Sequence, residues 1–590
     1  MAAMRVDECE KARRYLQLRS GMSSERSSFE SHWRELADFV KPRRLRFQTT
    51  DRNKGDRRNQ NIIDSTATIA LRTLQSGMHA GLTSPARPWL RLTTPDPDLA
   101  EHQPVKEWLH VVTQRLLTVF LQSNLYNHLP TVYGDMGLFG TSAMAVVEDD
   151  HNVFRCISFP LGSYFIGLDS RQRVSLFSRD YQLTVQQLVE EFGGEDGKAL
   201  RPGERPDWDH LPAFVKTAFD NGQLTQSIEV TWAIGPNVGY DPEAMRADKR
   251  LPYYACYFTR GMTSGSGVGA QSDTTCVLRE SGYHEFPVMA PRWDVTGEDT
   301  YGTDSPGMMA LGDVKQLQGM SRKEGQAISK MVDPPLQAPS TLRNQKTSLL
   351  PGDITYVDER AGQQGVRPIF ELKPDLGAFL SSKQEVQYRI RQAFFADLFL
   401  MLAQSDGMRG SQPLTAREID ERHEEKLLAL GPVLERTNDE LLDPLVDRTF
   451  GILLRAGGIP EPPEELVGVN LRVEYTSLMA QAQKLVSIAG QDRFVQTVAG
   501  MAGVFPEALD KVDVYQIVDD YADHLGVNPK AVRSSDEAQG IAQHRAQVQQ
   551  QAQQAEQVLQ GTQGLKNLGQ AQLGGGDTAL QQLVQGAGGA

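Results

Sequence analysis

Few stretches of the sequence combine residue types and spacing that could support catalysis. Residues Gly193–Ala199 (GGEDGKA) resemble a phosphate-binding loop, but they are one residue short of GxxxxGK[ST], and Ala199 replaces the magnesium-binding hydroxyl. Residues Gly265–Ala270 (GSGVGA) have the wrong glycine spacing for a dinucleotide-binding loop. Residues Gly140–Met144 (GTSAM) lack the second glycine of a nucleophile elbow. These stretches therefore indicate turns and loops.

Metal ligands and general bases do not form a recognisable pattern either. Four acidic residues within a short stretch lack the spacing of an EF-hand, so they indicate a solvated loop, with a divalent-cation site as the alternative: Asp294, Glu298, Asp299 and Asp304. None of the eleven histidines falls in an HxxxH or HExxH arrangement, and His79, between Gly77 and Gly81, is predicted to pack or cap. The four cysteines contain no CxxC pair and are typical of reduced thiols. The sequence predicts no cofactor, no metal and no enzymatic activity.

Charge is distributed unevenly along the chain. Residues 41–58 hold eight Lys or Arg and two Asp, a pattern typical of a solvated loop or a donor of intersubunit salt bridges, with phosphate contact as the alternative. The whole chain has 61 basic and 75 acidic side chains, a net charge of -14 and a pI near 5.4. Because sequence-specific DNA binding relies on many phosphate contacts, an acidic chain is a poor candidate for it.

Length and composition indicate a large folded protein. The chain has 590 residues, of which 39% are hydrophobic and 23% charged, so wholesale disorder is excluded. At roughly 150 residues per domain, the length predicts about four domains or one elaborate one. No apolar run approaches the ~18 residues of a membrane span. The N-terminus lacks the apolar core of a signal peptide, so nothing suggests secretion.

Hydrophobic periodicity predicts helices in the first quarter of the chain and β-structure after it. The predicted helices cover 30–40, 64–78, 104–121 and 125–138, with Asp64 as a possible N-cap. Short β-rich runs follow at 143–148, 163–168, 227–233, 253–259 and 275–279, with a short helix at 185–192.

Two long helices then flank a compact insert. The first is predicted from Ser305, an N-cap before proline, to Val332, where Asp333-Pro334-Pro335 ends it. The insert has strand-like pieces at 354–357 and 367–372. The second helix is predicted as one element from about Leu376 to Leu402, and Gln404–Pro413 forms a loop after it. A capping-box pattern at 415–418 opens further helical segments.

The last 56 residues have a composition of their own, with 16 Gln, 10 Gly and 9 Ala, which cannot bury a core alone. Five small or apolar residues are spaced 7, 4, 3 and 4 apart: Ile541, Val548, Ala552, Ala555 and Leu559. This spacing predicts a helix over 536–560 that pairs with further copies, followed by a disordered tail.

Several stretches together resemble the head-to-tail connector (portal) proteins of short-tailed bacteriophages. They are Ser76–Thr93 (SGMHAGLTSPARPWLRLT), Ser123–Tyr126 with Tyr133 and Phe139-Gly140-Thr141, Pro291-Arg292-Trp293 with Tyr301-Gly302 and Ser305-Pro306-Gly307, and Thr415–Glu418 with Asp443-Pro444-Leu445 and Phe450. The first stretch is the most specific, and the similarity covers residues from about 10 to about 530.

The resemblance implies a mostly helical α+β fold with the portal parts called wing, stem, clip, crown and helical barrel. The wing would comprise residues 1–304 and 415–476, the stem helices 305–335 and 376–403, and the clip 336–375. A channel loop would cover 404–414, the crown 477–534 and the barrel 535–560, before a disordered tail at 561–590.

The function implied by the resemblance is a ring, usually a dodecamer, at one capsid vertex of a virion, made in the host cytoplasm. It would pass double-stranded DNA without sequence specificity and bind the terminase large subunit, the tail adaptor, and the major capsid and scaffolding proteins. Candidate cations at its constriction are Lys330, Arg343, Lys346 and Arg409, for each of which an ordinary exposed charge is the alternative. The competing hypotheses are another structural virion component, such as a tail-tube or internal head protein, and a packaging nucleotide hydrolase or nuclease.

Overall fold

The computed structural model describes residues 2–49, 55–96, 99, 102–149, 151–208, 211–244, 250–259, 276–332, 336–337, 367–368, 376–405, 430–466, 468–475, 494–498, 500–501, 512, 514, 516–518 and 535–570. These residues fall into two compact units, each assembled from separated segments of the chain. Unit 1 takes in the described parts of 1–92, 112–461 and 473–483, and unit 2 those of 93–111, 462–472 and 484–590.

Four helices form the N-terminal part: α1 (Ala2–Val40), α2 (Thr66–Leu82), α3 (Gln103–Gln122) and α4 (Leu125–Phe139). Helix α1 begins well before the predicted residue 30, and its C-terminal turns bury Trp33, Leu36 and Val40. The other three helices were predicted within a few residues. The N-cap of α2 is Ser65 and not the predicted Asp64, whose carboxylate instead accepts from the Thr66 backbone N–H at 2.9 Å.

Two antiparallel sheets follow α4. The chain forms β1 (Leu90–Thr93), β2 (Ala143–Asp149), β3 (Val153–Phe159), β4 (Tyr164–Leu168), β5 (Val174–Thr184), β6 (Ser227–Pro236), β7 (Tyr253–Thr259), β8 (Cys276–Tyr283) and β9 (Val288–Met289). Strands β4 to β8 pair in sequence order, and the smaller sheet has the order β3-β2-β9. Helices α5 (Val185–Phe192) and α6 (Ala213–Asp220) lie between β5 and β6 in the sequence.

The first long helix agrees with its prediction and the second does not. Helix α7 spans Pro306–Val332. The second predicted helix is divided into α8 (Leu376–Ala393) and α9 (Ala396–Ser405), because Phe395 adopts a left-handed conformation with φ 54°. Packing of the flanking side chains holds this break: Phe394 is fully buried, and Phe395 stacks on Trp293 with 6.4 Å between ring centroids. An aromatic residue in this region is strained, so tertiary contacts outweigh local helix preference.

The remaining elements are shorter, apart from the last. Within the insert, β10 (Leu336–Gln337) pairs antiparallel with β11 (Arg367–Pro368). Residues 430–437 are helical and continue through a π-helical turn, Asn438–Leu442, into α10 (Asp443–Arg455). Strand β12 (Arg472–Tyr475) pairs with β1. The predicted strand 354–357, the channel loop after Ser405, the capping box at 415–418 and most of 477–534 lie outside the described residues.

Helix α11 (Ser535–Gln570) extends ten residues beyond the predicted end at 560, so residues 561–570 do not belong to a disordered tail. Gln, Ala and Leu favour helix strongly enough that Gly561 and Gly564 do not end it, although each glycine costs about 1 kcal/mol relative to alanine. Residues 571–590 lie outside the described part of the chain.

Candidate functional site

Helices α7 and α8 of unit 1 are antiparallel, and α7 carries Lys330, the one candidate channel cation among the described residues. Both helices are held by contacts to the rest of unit 1. Helix α7 starts at Ser305, whose Oγ accepts from the Met308 N–H at 3.2 Å and donates to the Leu138 carbonyl at 3.1 Å. The serine thereby caps α7 and fixes it to the end of α4. Gly307 completes the contact, because a Cβ at this position would lie within 3 Å of the Leu138 carbonyl oxygen.

A second backbone contact joins the end of α4 to the segment before α7. Gly140 ends α4 in the left-handed conformation, with φ 79°, and Gly302 approaches it so closely that a Cβ on Gly302 would lie within 3 Å of the Gly140 carbonyl. The Gly302 N–H donates to Thr141 Oγ1 at 2.7 Å. Two of the stretches that carry the family resemblance, Phe139-Gly140-Thr141 and Tyr301-Gly302, therefore meet at the base of α7.

A buried ion pair holds the Pro291-Arg292-Trp293 stretch at the same junction. The Arg292 guanidinium donates to Glu440 in the π-helical turn, with Nη2 and Oε1 2.7 Å apart, and the Arg292 backbone N–H donates to Oε2 at 2.8 Å. Arg292 also donates to the carbonyls of Asp299 and Gln172, at 3.2 and 3.0 Å. The next residue, Trp293, donates its backbone N–H to the Gly140 carbonyl at 2.8 Å. Bidentate pairing of this kind fixes the orientation of both side chains.

A polar network connects α7 and α8 to the start of α2. The buried Gln318 side chain accepts from the backbone N–H groups of Ile63 and Asp64, at 2.7 and 2.8 Å, and donates to the Asp64 carbonyl at 2.8 Å. On α8, Gln387 donates to the Asp64 carboxylate at 3.0 Å. Lys383 donates to Glu324 of α7 at 2.8 Å and lies 3.6 Å from Asp64. Three elements distant in sequence are thus tied at one point.

Charge and hydrogen bonding in this network shift two ionisable groups. Burial raises the pKa of Asp64, but hydrogen bonds from Thr66 and Gln387 and the charge of Lys383 outweigh it, so the pKa lies below the ordinary 3.8. The hydrogen bond to Glu324 raises the pKa of Lys383 above its ordinary 10.5. Both groups are therefore charged at neutral pH.

The helix pair is apolar on the inside and basic on the outside. Its buried seam includes Val314 and Leu317 of α7 with Val386 and Ile390 of α8, and Arg389 bonds Asp313 across it at 3.0 Å. Together α7 and α8 carry seven basic and three acidic side chains, a net charge of +4 in a chain of net charge -14. Local charge of this sign attracts polyanions.

The predicted cations are only partly placed by the structure. Lys330 is exposed in the last turn of α7, where a cation complements the helix dipole. Arg343, Lys346 and Arg409 lie outside the described residues. Gln318, Lys383 and Asp313, which hold the helix pair, are not among the residues that the sequence predicts to be functional. Each is one polar residue in an amphipathic helix, and no local spacing indicates a partner as far away as 254 positions.

The stretches first considered for catalysis have structural roles where they are described. Gly193 and Gly194 are buried in the turn after α5, and Asp294 pairs with Asp304 through a backbone bridge. In the basic stretch, Arg44 forms an ion pair with the buried Asp135. His79 bonds Thr83 at 3.2 Å, as expected of a capping or packing residue. Within the described part of the chain, no three His, Cys, Asp or Glu side chains are grouped to hold a metal ion.

None of the described helices combines the length and apolarity needed to cross a membrane.

Comparisons with known proteins show the family to which the chain belongs. Residues 12–532 match the family model for the bacteriophage head to tail connecting protein, so the chain belongs to that family of head–tail connectors. It is 44% identical over 581 residues to the portal protein of Salmonella phage epsilon15, covering 98% of this chain and 99% of that protein. It is 43% identical over 564 residues to the probable portal protein of Bordetella phage BPP-1, covering 95% of each. The resemblance and the connector function inferred from the sequence are confirmed.

Proposed function

We propose that this connector is a ring of twelve identical subunits at one vertex of the capsid, with α7 and α8 of each subunit beside a central channel. The observation that carries the proposal is a basic helix pair that is fixed to the rest of unit 1 in an otherwise acidic chain. Negative charge elsewhere keeps the assembly from binding nucleic acid indiscriminately, while a basic segment acts on DNA that passes it. The protein would be structural, with the energy for packaging supplied by a partner motor.

DNA contact is proposed for Lys330 and, from the sequence alone, for Arg343, Lys346 and Arg409. A few cations centre or slow a duplex, whereas many phosphate contacts would hold it, because each contact adds affinity by counterion release. Filled particles bearing Lys330→Ala or Arg409→Ala are expected to lose DNA on storage faster than wild-type particles. Unchanged retention in a variant would remove its residue from the proposal.

Partners are assigned to the predicted parts of the chain. The clip at 336–375 would bind the terminase large subunit during packaging and the tail adaptor afterwards, and the wing would contact the major capsid and scaffolding proteins. Helix α11 exposes Ile541 and Val548, seven residues apart on one side, which suits a barrel of neighbouring α11 helices in the ring. The assembled protein would be a component of the virion.

Electron microscopy and a mass measurement on the purified full-length chain test the ring directly. Rings with a central hole and a mass near twelve subunits are the expected result. A compact monomer at high concentration, with scaffolding protein also present, would contradict the proposal and favour another structural virion component. Hydrolysis of ATP by the chain alone would instead favour the packaging hydrolase.

A further inference from the structure

Two exposed faces lie on opposite sides of the α7–α8 pair. The first, called here the glycine face, consists of Gly319, Arg322 and Gln326 on α7, all exposed; Lys315, one turn before Gly319, pairs with Glu35 of α1 and lies outside this face. At 100° per residue its centre lies about 160° around α7 from Asp313 and Glu324, the residues that form ion pairs with α8. A Cβ built on Gly319 has no other atom within 4 Å, so the helix surface there is open.

The second face, the tyrosine face, consists of Ser381, Gln384, Glu385 and Tyr388 on α8, also exposed. It lies about 150° around α8 from the mean direction of Lys383 and Arg389, which bond α7. Tyr388 is 51% exposed, and the Glu385 side chain is 69% exposed although its Oε1 accepts from Arg389. A large aromatic ring and a carboxylate thus project side by side from the pair.

The two faces match in level along the pair. The ion pairs Lys383–Glu324 and Arg389–Asp313 bracket Gly319 and Arg322 on one helix and Glu385 and Tyr388 on the other. In a ring whose symmetry axis runs along the helices, a given residue lies at the same height in every copy. Residues that face each other between neighbouring copies must therefore lie at the same height along the helix pair.

The glycine face and the tyrosine face also complement each other in shape and charge. Gly319 and Arg322 are three residues apart on α7, and Tyr388 and Glu385 are three residues apart on the antiparallel α8. Because an α-helix rises about 1.5 Å per residue, Gly319 to Arg322 and Tyr388 to Glu385 span the same distance along the pair. The two spans point the same way because α8 runs antiparallel to α7. A Tyr388 ring placed over Gly319 therefore brings Glu385 to Arg322, which joins an aromatic group to an open helix surface and an anion to a cation.

We propose that neighbouring copies of this chain join through these two faces, with Tyr388 of one copy packed over Gly319 of the next and Glu385 beside Arg322. The contact is heterologous, since each copy offers both faces and uses each once, and it closes into a ring. This inference rests on the proposed ring and adds to it the residues that meet and their register.

Cysteine cross-linking tests the first half of the contact. In a full-length background without the four native cysteines, Tyr388→Cys and Gly319→Cys are introduced into one chain and oxidised. Because the two positions lie on opposite sides of the pair, they do not bond within a chain, and a ladder of covalent oligomers is expected. A mixture of the two single variants should stop at dimers. The matched control, Tyr388→Cys with Gly325→Cys, places the second cysteine about 120° around α7 and should give no ladder.

Charge exchange tests the second half and does not depend on cysteine. Arg322→Glu and Glu385→Arg should each reduce the fraction of rings at a given concentration by on the order of tenfold, because like charges would face each other. The double variant should restore assembly, and circular dichroism checks that each variant is folded. Wild-type rings without a ladder and without rescue would overturn this inference while leaving the ring in place. Absence of rings in the wild-type protein would overturn both.

Discussion

Replacement of Glu440 by alanine should destabilise unit 1 more than any ordinary surface substitution. The side chain of Arg292 is 5% exposed and would lose its only carboxylate among the described residues, together with the bond that its backbone N–H makes to Glu440. Removing one partner of a buried ion pair costs 3–5 kcal/mol. Because the carbonyls of Asp299 and Gln172 still accept from the guanidinium, we expect a loss of about 3 kcal/mol in the free energy of unfolding.

Urea unfolding followed by tryptophan fluorescence measures this loss, and Trp293 is the residue next to Arg292 in sequence. The expected result is a lower midpoint with an unchanged slope, since the slope follows the surface exposed on unfolding. Glu440→Gln, which keeps an acceptor but removes the charge, should cost about 1–2 kcal/mol. Asp439→Ala, at an exposed acidic residue in the same π-helical turn, is the matched control and should stay within about 0.5 kcal/mol. A loss for Glu440→Ala as small as the control would refute the view that this pair locks the base of α7.

Three further predictions concern helix packing and charge. Gly77→Ala should destabilise the protein by about 1–3 kcal/mol, because its Cβ would overlap the ring of Phe399, whereas Gly325→Ala, in open space within α7, should stabilise it by up to about 1 kcal/mol; thermal unfolding compares the two. The low pKa of Asp64 means that its stabilising contribution is present at neutral pH and is lost as the pH falls below about 4, so Asp64→Asn should flatten the acid limb of a stability profile measured from pH 3 to 7. Lys383→Met removes the cation between Asp64 and Glu324 and should cost about 1–3 kcal/mol; an unchanged urea midpoint would show that the network adds no stability.

The sequence predicts elements well where local chemistry marks their ends. Helix α7 follows its prediction because Ser305-Pro306 begins it and Asp333-Pro334-Pro335 prevents its extension. Strands β3 and β5 were missed because polar residues such as Arg155, Arg179 and Gln182 interrupt their apolar runs. Their place in the sheets comes from pairing with neighbouring strands, which a single segment does not reveal.

Local sequence patterns also fail to predict the break between α8 and α9 and the Gln318 network, because both depend on residues distant in the sequence. No proline stands between 376 and 405, and the apolar repeat continues through Phe394, so the sequence favours one helix. Phe395 at the break stacks on Trp293, and Phe399 of α9 packs over Gly77; both partners lie more than a hundred positions away. The candidate cation Lys330 was named because the family resemblance places it where the first stem helix meets the clip, whereas no sequence pattern marks the residues that hold its helix in place.

The pairing of β10 with β11 has an evolutionary consequence. Because Gln337 lies opposite Arg367, the 29 residues from 338 to 366 begin and end at one point, which is joined to the ends of two antiparallel helices. Doubling the length of a closed loop costs only about 0.6 kcal/mol. Selection can therefore lengthen, shorten or exchange this segment between lineages without disturbing the Gly140–Gly302 contact or the Gln318 network. Adaptation to a new partner and conservation of the scaffold can proceed independently in one chain.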